Sequence, residues 1–279
     1  MINDDETGDL ADKAVNGDHA AIEALVKVLQ HPVYNMALKM LYLPSDAEDA
    51  TQEILIKIVT HLSGFRHESS FKTWAYRIAA NHLINLKKKG AKKFFTDFDS
   101  LKENGDQYLD VAVNYKPVDA EKELLIKEIR LSCLHGVLLY LSPEHRIAFI
   151  IGELLGATGK EAAEILEISE AAYRKRLSRA RHEMQDFMGC GCGLISPSNP
   201  CRCEQLTGFA LKSRWIQPDS LRFATHPMRR ETFVDTLKEI EATDEMQRVA
   251  ALYKQMPEFA APEKIADYFE TLFHQQDNT

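Results

Sequence analysis

The sequence predicts an all-α fold: two helical domains, the second with a helix-turn-helix, joined by an acidic linker and followed by a small helical C-terminal extension. Three observations lead there. Apolar residues recur at steps of three and four along most of the chain, and no convincing run alternates with the period of two that a half-buried strand needs. Helix start and stop residues bracket these periodic stretches. Two aperiodic stretches, 91–118 and 189–200, interrupt the pattern. The division expected is a first domain at 8–93, a linker at 94–118, a second domain at 119–188 and an extension at 189–279.

Asp18 is a good N-cap for a first helix with Ile22, Leu25, Val26 and Leu29 on one face. A second helix is expected from Pro32 to Leu43, ended by Pro44. Ser45 or Asp46 caps a third, which carries Ile54, Leu55, Ile58, Val59 and Leu62 before Gly64 stops it. Ser69 or Ser70 opens a fourth, which reads to Lys89. The linker is largely acidic and contains Asn104-Gly105 and Lys116-Pro117. Helices resume near Val118. Ser142-Pro143-Glu144 places a cap before a proline at the first helical position, a strong start signal, and that helix ends at Gly156. Shorter helices are expected at 158–167 and 169–187. Beyond the Gly-, Pro-, Ser- and Cys-rich stretch from Gly189 to Pro200, helical patterns return near 229–243, 244–256 and 262–274.

Composition narrows the function. No apolar run approaches the 18 residues of a membrane helix, and the acidic start, Met1 to Glu6, lacks the basic-then-apolar order of a signal peptide. A cytoplasmic protein without membrane insertion is therefore expected. The net charge of −8 argues against a nucleic-acid partner, but its distribution argues for one. From Arg66 to Lys93 there are eight Lys/Arg against one acid, and from Arg174 to Arg181 five Lys/Arg and no acid. Charges more than about 8 Å away are largely screened at ~0.15 M salt, so two cationic faces can bind phosphate within an acidic chain.

Thr158–Arg181 fits a helix-turn-helix. Ala162, Ala163, Ile165 and Leu166 form the apolar face of its first helix. Ser169 caps the second, where Tyr173 and Leu177 face inward. Arg174, Lys175, Ser178 and Arg179 lie on the outer face, where a recognition helix needs groups that reach base edges and phosphates. A basic amphipathic surface helix has the same pattern. The other island mixes cations with aromatics: Phe71-Lys72-Thr73-Trp74-Ala75-Tyr76-Arg77, then Asn81 and Asn85. Trp74, Arg77, Asn81 and Asn85 recur at steps of three and four. Rings beside cations suit unpaired bases, although Phe71 and Tyr76 also fit a core.

These stretches, in order, resemble a known family. Asp46-Ala-Glu-Asp-Ala-Thr-Gln-Glu-Ile54 with Phe71-Lys-Thr-Trp-Ala-Tyr-Arg-Ile-Ala-Ala-Asn81 resembles region 2 of extracytoplasmic-function (ECF) sigma factors. Leu141-Ser-Pro-Glu-His-Arg146 through Arg174-Lys-Arg-Leu-Ser-Arg-Ala-Arg181 resembles their region 4. The resemblance covers about residues 10–188. It implies a promoter-reading subunit, with core RNA polymerase and promoter DNA as partners and an anti-sigma factor as a further candidate. It implies that Asp49, Gln52 and Glu53 dock on the polymerase. It places capture of the melted -10 strand on Phe65, Arg66 and His67 of the loop and on Trp74, Arg77 and Asn81 of the helix. It assigns the -35 duplex to Arg174, Lys175, Ser178 and Arg179. Two departures stand out: the turn usually holds Gly where this chain has Glu167, and a non-Gly residue in a left-handed turn costs about 1 kcal/mol; the helix entry Gly156-Ala-Thr-Gly159-Lys is also unusual.

The extension brings Cys190, Cys192, Cys201 and Cys203, enough thiols for a tetrahedral zinc or other thiophilic metal, though Cys-x-Cys is tighter than the usual knuckle. Redox sensing and unbound structural thiols are the alternatives. No cofactor is expected to be required. No partnered His/acid signature accompanies these cysteines, so the chain is not read as a thiol enzyme. The competing function is a stand-alone helix-turn-helix regulator, which would bind duplex DNA without polymerase. The extension could fold back on the first two domains as a built-in regulator.

Overall fold

A computed structural model of the chain describes residues 4–86, 119–189, 191–230 and 245–276. The architecture is helical, as the periodicity predicts. Helices α1 (Asp4–Val15), α2 (His19–Leu41), α3 (Pro44–Thr60) and α4 (Phe71–Asn85) form an N-terminal bundle. A second group follows, with α5 (Asp119–Leu138), α6 (Pro143–Phe149) running into a π-helical turn (Ile150–Leu154), α7 (Gly159–Leu166) and α8 (Glu170–Met188). The extension holds α9 (Thr207–Lys212), β1 (Met228–Arg230), α10 (Glu245–Lys254), β2 (Glu258–Phe259) and α11 (Glu263–Gln276). The linker expected at 94–118 lies outside the described residues.

Local signals act largely where expected. Asp18 accepts from the Ala21 amide at 3.1 Å, Ser70 from Thr73 at 3.1 Å, and Ser142 from His145 at 3.2 Å. Three local readings are corrected. The first two expected helices are one, α2, which runs through Pro32. A mid-helix proline removes one hydrogen bond, but the turns on both sides are locked by burial, with Leu29, Val33 and Tyr34 almost wholly enclosed. Pro44 does not end a helix; it begins α3, where its missing N–H needs no partner. The extension also contains an antiparallel ribbon, pairing Met228 with Phe259 and Arg230 with Glu258. Strands of three and two residues are too short to show a period.

One connected apolar core runs through all three sections, from Ala11 of α1 to Phe269 of α11. Polar contacts at its centre join the sections. Arg146 of α6 is fully buried and donates to the carbonyls of Leu138, Leu139 and Leu141 and, across to α2, of Met40. Glu128 of α5 accepts the amides of Arg222, Phe223 and Ala224 at 3.0, 2.9 and 2.7 Å. Asn35 of α2 exchanges two hydrogen bonds with the backbone of Phe259, at 2.8 and 2.9 Å.

His135 of α5 sits in the same core. Its Nδ1 donates to the Leu131 carbonyl at 2.9 Å, and its ring stacks on Phe223 with centroids 4.4 Å apart. Burial, then repulsion from Lys39, pushes its pKa down to about 3. His31, His82 and His226 are lowered too, each mainly by burial. In the unfolded chain a histidine binds its proton near pH 6.5. Below that pH the unfolded state takes up protons that the folded state refuses, so stability is full above pH 6.5 and is lost as pH falls toward 3. The thermal midpoint is expected to drop by several degrees between pH 7.5 and 5. His135→Phe, which keeps a ring, should flatten much of that slope; an unchanged slope in differential scanning calorimetry would remove His135 as a main contributor.

Candidate nucleic-acid interface

The helix-turn-helix is built as its pattern predicts. Thr158 and Glu161 form a reciprocal capping box that starts α7. Ser169 caps α8 by accepting from Ala172 at 3.2 Å. Tyr173, Leu177, Ala180, Met184 and Met188 are buried along one face of α8. Gly152 in the π-helical turn leaves room for Tyr173, whose hydroxyl would collide with any Cβ there. This packing holds Arg174, Lys175, Ser178 and Arg179 together on the exposed face. Arg174 pairs with Glu170 one turn back at 3.1 Å. Such an exposed pair is worth a few tenths of a kcal/mol and yields readily to a phosphate. Arg181 instead turns inward: its Nε donates to the buried Glu153 at 2.7 Å.

Glu167 adopts the left-handed conformation, with φ 53° and ψ 42°. The turn therefore keeps its usual shape despite lacking glycine. Its carboxylate accepts from Asn81 of α4 at 2.9 Å. Glu167→Gly relieves the backbone cost and loses this bond; Glu167→Ala loses the bond and keeps the cost. The glycine variant is expected to be the more stable of the two by about 1 kcal/mol in urea denaturation. Equal stabilities would mean that the turn relaxes away from the left-handed geometry.

Part of the second basic island lies on α4 and the loop before it; its lysines between 87 and 93 lie outside the described residues. Phe71 and Tyr76 are buried, as a core role predicts, while Trp74 and Arg77 are half-buried and Asn81 is exposed. Phe65, in the preceding loop, is buried at 8% exposure, its ring 5.4 Å from Phe71 and 5.6 Å from Trp74. Arg66 and His67 are exposed, and His67 Nε2 lies 2.8 Å from Asp12 of α1. Two of the α4 candidates are engaged by the helix-turn-helix. Arg77 Nε donates to the Glu164 carbonyl of α7 at 3.1 Å, and Asn81 bonds Glu167 as above. Nothing in the spacing of either island signals that the two would meet.

On α3, Ala47, Ala50, Thr51, Ile54, Leu55 and Ile58 face the core. Asp49 and Glu53 are exposed and Gln52 is half-buried, so the three share the outer side. Beside them Glu48 pairs with Lys264 of α11, a contact across sections that no local signal reveals.

Cys190 lies outside the described residues. The backbones of Cys192 and Cys201 meet in an isolated parallel β-bridge, their thiols are free, and Cys203 follows. Cys133 of α5 lies close enough to interact electrostatically with all three, which its isolation in the sequence hides. Burial pushes the thiols of Cys192 and Cys201 up to about 12 and about 11. Among the described residues, no three Cys, His, Asp or Glu side chains are arranged to hold a metal ion. No described helix is long and apolar enough to cross a membrane.

Comparison with known proteins agrees with this layout. The family model for sigma-70 region 2 matches residues 25–93, and that for sigma-70 region 4 matches 131–184. The chain is 25% identical over 185 residues to the RNA polymerase sigma-H factor of Pseudomonas aeruginosa, covering 65% of this chain and 93% of that protein. It is 29% identical over 179 residues to the ECF RNA polymerase sigma-E factor of Escherichia coli, covering 63% and 91%. Two solved structures are also similar. One is CnrH in complex with the cytosolic domain of CnrY (19% identity, 64% of this chain and 95% of that one, TM-score 0.45). The other is the sigma factor RpoE in complex with the anti-sigma factor NepR from Bartonella quintana (22% identity, 58% and 93%, TM-score 0.39). With a region 2 bundle followed by a region 4 helix-turn-helix, the chain belongs to the ECF branch of the sigma-70 family of RNA polymerase sigma factors.

Proposed function

We propose that this sigma factor passes between a closed form, described above, and an open form that reads promoters on core polymerase. In the open form the outer side of α3, with Asp49, Gln52 and Glu53, docks on the polymerase. Arg66 and His67, backed from the core by Phe65, capture the melted -10 strand together with Trp74, Arg77 and Asn81. Arg174, Lys175, Ser178 and Arg179 read the -35 duplex. The functional units are residues 8–93, the linker 94–118, residues 119–188 and the extension 189–279. An anti-sigma factor is a further proposed partner.

The engagement of Arg77 and Asn81 by α7 carries the closed-form reading, because groups committed to Glu164 and Glu167 are not available to a DNA strand. Lys264, bound to Glu48 beside the docking side of α3, points the same way. The extension is thus proposed as a built-in regulator. Its thiols are the candidates for a thiophilic ion such as zinc, but the described cysteines lack the arrangement such a site needs, and no step is assigned to a metal.

In vitro transcription with core polymerase on a genomic promoter library tests the function: initiation from a defined promoter class is expected, and none from any template would refute it. Arg179→Ala should weaken discrimination at one -35 position by about 1–3 kcal/mol, roughly 5- to 150-fold, and leave the salt dependence of binding largely unchanged. Uniform weakening across all -35 sequences would reassign Arg179 to a phosphate contact.

A further inference from the structure

We infer that the cavity enclosed by α2, the start of α4, the π-helical turn and the β-ribbon is a binding site for a small phosphorylated molecule with a ring-shaped or apolar body. The cavity has a volume of about 810 Å³, within the usual range of small-molecule sites, roughly 300–1,000 Å³. All three sections of the chain contribute to its wall.

Lys39 of α2 carries the inference. It lines the cavity, is 7% exposed, and has no hydrogen-bond or ion-pair partner among the described residues. Glu258 attracts it and Arg230 repels it, but those two are bonded to each other at 3.1 Å. A buried charge normally has a partner, because desolvation costs several kcal/mol that only a counter-charge offsets. A methionine would fill the same space without that cost. Burial pushes the ammonium down to about 8, so it remains mostly charged at neutral pH.

Two further cations reach the cavity without a carboxylate within ion-pair distance among the described residues. Arg229 of β1 is one, and its charge is felt at His31. Lys72 of α4, poised 5.8 Å from the Tyr76 ring, is the other. Three cations of both types lining one cavity suit a phosphate, whose oxygens accept from several directions at once and pair well with Arg and Lys. Val28, Pro32, Leu154 and Leu155, all half-buried, add an apolar surface that a bare inorganic ion would leave wet. A bound molecule would hold the β-ribbon against α2 and the π-helical turn, and so favour the closed form. That coupling rests on the closed form proposed above; binding itself does not.

The test uses the full chain, titrated calorimetrically at constant ionic strength with phenyl phosphate, inorganic phosphate, citrate and a short single-stranded DNA. Phenyl phosphate should bind, about tenfold or more tighter than inorganic phosphate, with citrate weaker still. Lys39→Met should fold with an equal or higher thermal midpoint and lose about tenfold or more of this affinity. No Lys39-dependent binding of phenyl phosphate up to about 10 mM overturns the site. Equal binding of inorganic phosphate or citrate overturns its ligand class, and Lys39-dependent displacement by the DNA overturns it in favour of a strand path. Hydrogen exchange at the Arg222, Phe223 and Ala224 amides, measured with and without phenyl phosphate, reads the coupling separately. Binding with unchanged exchange leaves the site standing and removes its link to the closed form.

Discussion

Replacing Glu128 with alanine is expected to release the extension from the second helical group and to raise transcription in the presence of core polymerase. Glu128 is 1% exposed, and its two oxygens accept three consecutive backbone amides, Arg222 to Ala224, besides the Ser132 hydroxyl at 3.1 Å. Bonds from amides to a carboxylate are charge-assisted and strong. Their loss leaves three N–H groups to find water or stay unpaired, at a cost of about 3–5 kcal/mol. The opening equilibrium of the extension therefore shifts by about 10²- to 10⁴-fold. Exchange at those three amides should accelerate accordingly, while amides inside α3 stay protected. Glu128→Gln keeps one acceptor oxygen and should fall between. Unchanged exchange at 222–224 in the alanine variant would show that apolar packing of Phe223 holds the segment without the carboxylate.

The second large effect is expected at Arg146. Its guanidinium caps the C-terminal ends of two helices: Leu138, Leu139 and Leu141 at the end of α5, and Met40 at the end of α2. Helix ends leave carbonyls unpaired, and the dipole makes them favourable sites for a cation. Burial lowers the Arg146 pKa to about 10, so the group remains charged at neutral pH. Arg146→Met fills much of the volume and leaves the carbonyls of Met40, Leu139 and Leu141 without a donor, while Leu138 still accepts from the Leu141 amide at 3.2 Å. The expected loss is about 3–5 kcal/mol, a fall of roughly 1–2 M in the urea midpoint. Arg146→Lys, with a single ammonium in place of a planar fork, should recover only part of it. A loss under about 1 kcal/mol for the methionine variant would mean that water or a local shift satisfies those carbonyls.

Much of the fold was legible because its signals are local. Asp18, Ser70, Ser142 and Ser169 act as caps through bonds that span three residues, and the core faces of α3 and α8 follow from steps of three and four. The candidate DNA-contacting face of α8 was legible for the same reason: once Tyr173 and Leu177 are inside, Arg174, Lys175, Ser178 and Arg179 must be outside. Pro32 misled because local propensity was outweighed by the burial on either side of it. Phe65 reads as a loop residue by position and is core by contact, since its ring has Phe71 and Trp74 to pack against.

By itself, then, the sequence determined the helices, their faces and the two basic islands, because each depends on residues a few positions apart. The tertiary structure alone decided how the sections close on one another. Arg146 finds Met40 across 106 positions, Glu128 finds the 222–224 amides across 94 to 96, and Arg77 meets Glu164 across 87. No spacing rule encodes such partners. They form because buried donors, acceptors and charges must be satisfied inside a shared core, and that requirement exists only once the chain has folded.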